Sequence, residues 1–198
     1  MTRVLKDRKV HVLEQQVGPF GIRALLSLRP EDAPADVTRA VKGNLAAEAR
    51  RLFNDRHLWS RGWFLRSVGA VTNKVVRKYV AGQFEHHRAA PVERPEIRAL
   101  AGYHSGADPA DLRSAAHCRF EYNVHVVMAT RRRFDFLDME VSEKLVAYWP
   151  RVCDKHGWLP WDIEVVSDHA HLFLGLRPAD SPATVALSLM NNSAYFLH

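Results

Sequence analysis

His169 and His171 flank a single alanine in the stretch "EVVSDHAHLFLGLRP", residues 164–178. The alternation around them predicts a β-strand, in which side chains two positions apart share a face and their Cα atoms stand about 6.6 Å apart. Two imidazoles so placed can converge on one divalent ion, leaving positions for a third ligand and a substrate oxygen. In a chain with 11 histidines, the same spacing also suits two surface or hydrogen-bonded side chains. Asp168 directly precedes the pair, and the apolar run behind it would hold the strand rigid. A second candidate lies in "VVRKYVAGQ", which places Tyr79 and Gln83 at i and i+4 on one helix face. Val75, Val76 and Val80 can pack that helix down. Tyr79 therefore reads either as a packing aromatic with a satisfied hydroxyl or as a nucleophile. Arg77 and Lys78 beside it read as a solvated face or as phosphate contacts.

The elements that must position these residues follow from pattern. Residues 10–17 and 20–28 read as two short strands around Gly18-Pro19, and Pro34 to Phe53 as a helix. "HLWSRGWFLRSVG", residues 57–69, reads as an aromatic strand, and Thr72 as the N-cap of the helix carrying Tyr79. Residues 88–116 shift to Pro, Ala, Gly and charge, which predicts a linker with a helical turn at Glu96 to Leu100. "HCRFEYNVHVVMAT" predicts a strand. The following amphipathic helix contains Pro150, which should kink or break it. "WDIEVV" and "HLFLGL" are two more strands, and Pro182 opens a last helix.

A repeat organises these elements. Shifting the chain by 148 positions lays Leu28-Arg29-Pro30 on Leu176-Arg177-Pro178, Asp32 on Asp180, Pro34-Ala35 on Pro182-Ala183 and Asn44 on Asn192. No gap is needed, which argues for duplication. Under that shift Gly21-Ile22-Arg23 stands where the other copy has His169-Ala170-His171.

With 198 residues, 47% hydrophobic and 25% charged, the chain has the composition of a soluble globular protein. No apolar run approaches the roughly 20 residues that span a bilayer, so no membrane partner is expected. Two cysteines, Cys118 and Cys153, make neither a disulfide framework nor a zinc site and suit a reducing cytoplasm. A net charge of +6 points toward a polyanionic partner.

The stretch "HLWSRGWFLRSVGAVTNKVVRKYVAGQ", residues 57–83, resembles the C-terminal signature of the single-tyrosine HUH transposases, small bacterial insertion-sequence enzymes that cut and rejoin single-stranded DNA. "FEYNVHVVMATRRRFDFL" (120–137) and "DIEVVSDHAHLFLGLRP" (162–178) resemble that family's N-terminal portion, with its His-hydrophobic-His motif. The resemblance implies an α+β fold with a ferredoxin-like antiparallel sheet and helices on one face. Here it would take the form of two incomplete related units, a pseudo-dimer: residues 1–87 with the tyrosine helix, a linker at 88–116, and residues 117–198 with the histidine strand. It further implies Mg²⁺ or Mn²⁺ held by His169, His171 and Gln83, with Tyr79 as the nucleophile that forms a 5′-phosphotyrosine link. The order departs from the family's, since the tyrosine helix comes first and follows the copy without histidines. The second copy reaches "NNSAYFLH" with no second tyrosine helix, and Tyr195 falls opposite Ala47 under the shift.

These departures suggest a site in which each half supplies what the other lacks, assembled within one chain or across a homodimer. Arg61, Arg66, Arg77 and Lys78 in the first half, and Arg131, Arg132 and Arg133 beside Phe134 and Phe136 in the second, would track phosphates of single-stranded or hairpin DNA. The bacterial cytoplasm, with nucleoid association when DNA is bound, is the expected location. Rival readings are a transposase-derived protein that binds hairpins without cutting, and a metal hydrolase unrelated to DNA.

Overall fold

The computed structural model describes residues 5, 9–18, 21–53, 58–69, 72–81 and 99–197. Gln83 lies outside them. The first repeat forms strands β1 (His11–Gly18) and β2 (Gly21–Ser27) and helix α1 (Pro34–Phe53), followed by β3 (Trp63–Arg66) and helix α2 (Asn73–Ala81). Next come β4 (Ala99–His104), β5 (Arg113–Ala115), β6 (Cys118–Glu121), β7 (Asn123–Ala129) and helix α3 (Met139–His156). The second repeat closes the chain as β8 (Leu159–Val166), β9 (His169–Gly175) and α4 (Pro182–Leu197).

The fold is α+β, and its main sheet is antiparallel with strand order β4-β8-β9-β7. β8 and β9 are its centre, and every residue of β9 is buried. Alternation divides their side chains between an apolar face and a mixed one. Ile163, Val165, Ala170, Leu172 and Leu174 meet Leu145, Trp149 and Val152 of α3 and Val185 and Leu189 of α4. Phe173 faces the other way and, with Trp161, packs against Val76 and Val80 of α2. Helices therefore cover both faces of this sheet rather than the one expected: one face of the central hairpin is wholly apolar, and on the other the apolar pair Trp161 and Phe173 seats α2 beside the buried polar residues Asp162, Glu164, His169 and His171.

Three local expectations change. Pro150 sits inside α3 without ending it. The lost backbone bond is offset by burial on both sides of it, at Leu145 and Trp149 before and at Val152 and Cys153 after. Residues 99–104, expected as linker and helical turn, form edge strand β4 on β8, and 113–115 form β5. Backbone pairing decides there against a composition of low strand propensity. Finally, the single strand expected at 117–130 divides at Tyr122. β6 pairs with β3 in parallel and with β5, whereas β7 pairs with β9.

The repeat is visible in the structure. β1 and β8 begin at His11 and Leu159, β2 and β9 at Gly21 and His169, and α1 and α4 at Pro34 and Pro182, each 148 residues apart. A register shift falls between Val12 and Glu14 in one hairpin and between Pro160 and Asp162 in the other. After each second strand an arginine clamps an aspartate three residues on: Arg29 Nε to Asp32 Oδ2 at 3.1 Å, and Arg177 Nε to Asp180 Oδ2 at 3.0 Å. The two copies also meet. Ala35 N–H donates to Pro178 O at 2.8 Å, and its counterpart Ala183 N–H donates to Pro30 O at 2.9 Å. The exchange is reciprocal, the helix start of each copy bonding the segment after the second strand of the other.

Candidate active site

Helix α2 carries Tyr79 onto the sheet. Thr72 caps it as expected, its Oγ1 accepting from Val75 N–H at 3.4 Å. Val76 and Val80 supply the apolar contact, and a partly buried ion pair supplies the register: Arg77 Nε lies 2.8 Å from Asp162 Oδ2 on β8. Asp162 is also bonded to His104 Nδ1 at 2.7 Å, and Arg77 donates to Ala107 O at 2.7 Å. At the start of the helix, Asn73 Nδ2 donates to Glu121 Oε1 at 2.8 Å, while Arg66 lies 2.6 Å from Glu121 Oε2. With α2 fixed at both ends, the Tyr79 ring stands edge-on to two histidines. Its centroid is 5.6 Å from that of His171 and 5.9 Å from that of His125.

His169 and His171 lie on one face of β9, both buried, with ring centroids 4.8 Å apart. Asp168 bonds His169 Nδ1 and accepts from Arg133 Nε at 2.8 Å. Arg133 reaches it from a turn in which Arg132 and Arg133 are left-handed, at φ 59° and 55°. That conformation costs roughly 1 kcal/mol or more per residue with a side chain. Burial alone would raise the Asp168 carboxyl; its bonds to His169 and Arg133 outweigh this and hold it below the usual range. His171 Nδ1 is hydrogen-bonded to His125 Nε2 at 2.9 Å. Across β8 from His171 stands Glu164, also buried, which burial pushes up to about 7 against the opposing pull of His104. Gly102 faces Glu164 on β4, and a Cβ there would lie 2.8 Å from Glu164 Oε2. The mouth of the site is bordered by Tyr79 and Val127, 42% and 49% exposed.

The donor set fits a divalent ion in part. Asp168 and Arg133 Nη2, the latter at 3.1 Å, both meet His169 Nδ1; with the proton on Nδ1 facing the carboxylate, Nε2 would be left to ligate an ion, the usual arrangement of a metal-ligating imidazole. Imidazole pairs suit Mn²⁺ and its neighbours better than Mg²⁺, which prefers oxygen. Among the described residues no group of three His, Cys, Asp or Glu could hold an ion, so a third protein ligand to the pair would be of another type or come from outside them, where Gln83 lies.

The structure thus brings Tyr79, His169, His171, Arg77 and Arg133 to one site. Arg66, Arg77 and Arg133, expected on phosphates, are engaged by Glu121, Asp162 and Asp168. Arg61, Lys78, Arg131 and Arg132 are exposed. His125, Asp162, Glu164 and His104 were not legible as site residues. They join it through strand pairing, and only the alternation "NVHVV" offered a signal for His125.

The profile of the family described as "Transposase IS200 like" matches residues 1–83 and 118–198, most of the chain and both repeats. The protein belongs to the IS200-like transposases. No curated protein matches it. No helix among the described residues is long and apolar enough to cross a membrane.

Proposed function

We propose that this transposase cleaves and rejoins single-stranded or hairpin DNA at one composite site within the chain. The first half would supply Tyr79 and Gln83, and the second half His169 and His171. The observation that carries this reading is the 5.6 Å separation of the Tyr79 and His171 rings, which the sequence sets 92 positions apart. The Tyr79 hydroxyl attacks the scissile phosphorus, forming a tyrosyl–phosphate ester with the 5′ side of the break. The bond to the 3′ oxygen breaks, and that oxygen leaves with a proton as the 3′ hydroxyl. Because the ester retains the energy of the original diester, a 3′ hydroxyl can reverse the step without ATP. A Mg²⁺ or Mn²⁺ ion on His169 and His171, when bound, would polarise the phosphate and offset its developing charge. Asp168 and Arg133 hold His169 in place, and Arg77 with Asp162 sets the height of Tyr79 over the sheet. Exposed Arg61, Lys78, Arg131 and Arg132 take the flanking phosphates.

The test is incubation with labelled hairpin DNA and Mn²⁺ followed by denaturing electrophoresis. Wild type should form a covalent adduct. Tyr79→Phe should form none while binding DNA within a few-fold of wild type. A mixture of Tyr79→Phe and His171→Ala should stay inactive, because both groups must come from one chain. Recovery of activity in the mixture would place the site between two chains, and binding without any adduct would leave a hairpin-binding protein.

A further inference from the structure

We infer that His125 is a positioning residue that fixes the tautomer and orientation of His171. The inference rests on the reading of His169 and His171 as ligands, and it concerns a residue outside that pair. β7 runs antiparallel to β9 with Val127 opposite His171 and His125 opposite Phe173. His125 is thus the diagonal neighbour of His171 on the same face, within reach of a long side chain. The two rings are nearly parallel, at 20°, with centroids 5.1 Å apart, and His125 Nε2 lies 2.9 Å from His171 Nδ1. One of those two nitrogens must carry the proton and the other must accept it.

The chemistry of the site decides which. A ligating imidazole needs its lone pair on the nitrogen that faces the ion. With Nδ1 turned to His125, that nitrogen of His171 is Nε2, so its proton belongs on Nδ1 and is donated to His125 Nε2. The arrangement parallels that of His169, whose Nδ1 is held by Asp168. One histidine is oriented by a carboxylate from its own strand connection, the other by an imidazole from the neighbouring strand. His125 also meets the edge of Tyr79, so one ring borders both the nucleophile and the histidine it steadies.

The experiment compares His125→Ala and His125→Gln with wild type in two measurements. Glutamine keeps an acceptor oxygen near the former position of Nε2; alanine does not. In metal-free protein, nitrogen-15 correlation spectra of the His171 ring should show the proton on Nδ1 in wild type and His125→Gln. In His125→Ala it should move toward Nε2. By calorimetry, His125→Ala should bind Mn²⁺ about 10- to 100-fold more weakly, the usual effect of losing such a partner, and His125→Gln should recover most of that loss. Unchanged Mn²⁺ affinity in His125→Ala, a His125→Gln variant as weak as His125→Ala, or an unchanged His171 tautomer each overturns the inference. His171→Ala separates this from the reading beneath it. If His171→Ala loses the ion and His125→Ala does not, only the inference fails; if His171→Ala binds Mn²⁺ like wild type, both fail.

Discussion

Arg77 and Lys78 are adjacent basic residues on the tyrosine helix, and the structure gives them different work. The informative perturbation is Arg77→Met, which keeps an unbranched apolar stem of about the same size as arginine's and removes the guanidinium. The Asp162 side chain is 3% exposed and that of Arg77 28%, so the carboxylate is the partner left stranded. Breaking a fully buried pair costs about 3–5 kcal/mol. Here His104 stays 2.7 Å away and Arg77 is partly in water, which brings the expected loss to about 2 kcal/mol. Adding Asp162→Asn removes the stranded charge, so the double variant should recover some of the loss, with a coupling of roughly 1–2 kcal/mol. The assay is urea denaturation of wild type, both single variants and the double. Adduct formation by Arg77→Met should fall further than its hairpin affinity, because Tyr79 sits on the helix that the pair anchors. If Arg77 were a phosphate contact instead, stability would hold while the salt slope of DNA binding dropped by about one. Additivity of the two substitutions within about 0.5 kcal/mol would refute the anchoring argument.

Glu164 binds its proton more tightly in the folded protein, with a value of about 7 against an ordinary 4.5, so wild type should lose stability as pH rises through that interval. Glu164→Gln should be flat there and more stable than wild type at pH 8 by about 1–2 kcal/mol, measured by thermal denaturation with chelator present. Gly175→Ala places a methyl 2.8 Å from the Trp161 ring, so it should cost about 1–3 kcal/mol in denaturant and disturb the Trp161 fluorescence. Hairpin affinity should fall steeply between about 50 and 200 mM salt as counterions released on binding become costlier to displace; a flat response, by filter binding, would remove exposed Arg131, Arg132 and Lys78 as phosphate contacts.

The repeat was legible in the sequence because strand, strand and helix in the copies are marked by local signals: Gly18-Pro19 between the first two strands, Pro34 and Pro182 at helix starts, and alternation along the strands. Thr72 and the apolar face of α2 were legible for the same reason. What escaped was whatever depends on pairing. β4 is written in small residues, "ALAGYH", and becomes a strand only because β8 offers it an edge. Its glycine, unremarkable in sequence, makes room for the Glu164 carboxyl. His125 entered the site through the register of β7 on β9, which no spacing within one segment reveals. The arginines were legible as charge but not as partners, since Arg66, Arg77 and Arg133 meet carboxylates far away along the chain.

The hydrogen bonds exchanged by Ala35 with Pro178 and Ala183 with Pro30 have a consequence for how this protein can vary. In an assembly of two identical subunits, every substitution appears on both sides of the axis at once. Here the two sides are written separately in one gene product, so each can drift alone. Gly21 and Arg23 can occupy one hairpin while His169 and His171 persist in the other. The tether also sets the local concentration of one half around the other, independent of how dilute the protein is. An arrangement held this way withstands dilution that would separate a pair of free subunits, and a single allele is enough to reshape either half.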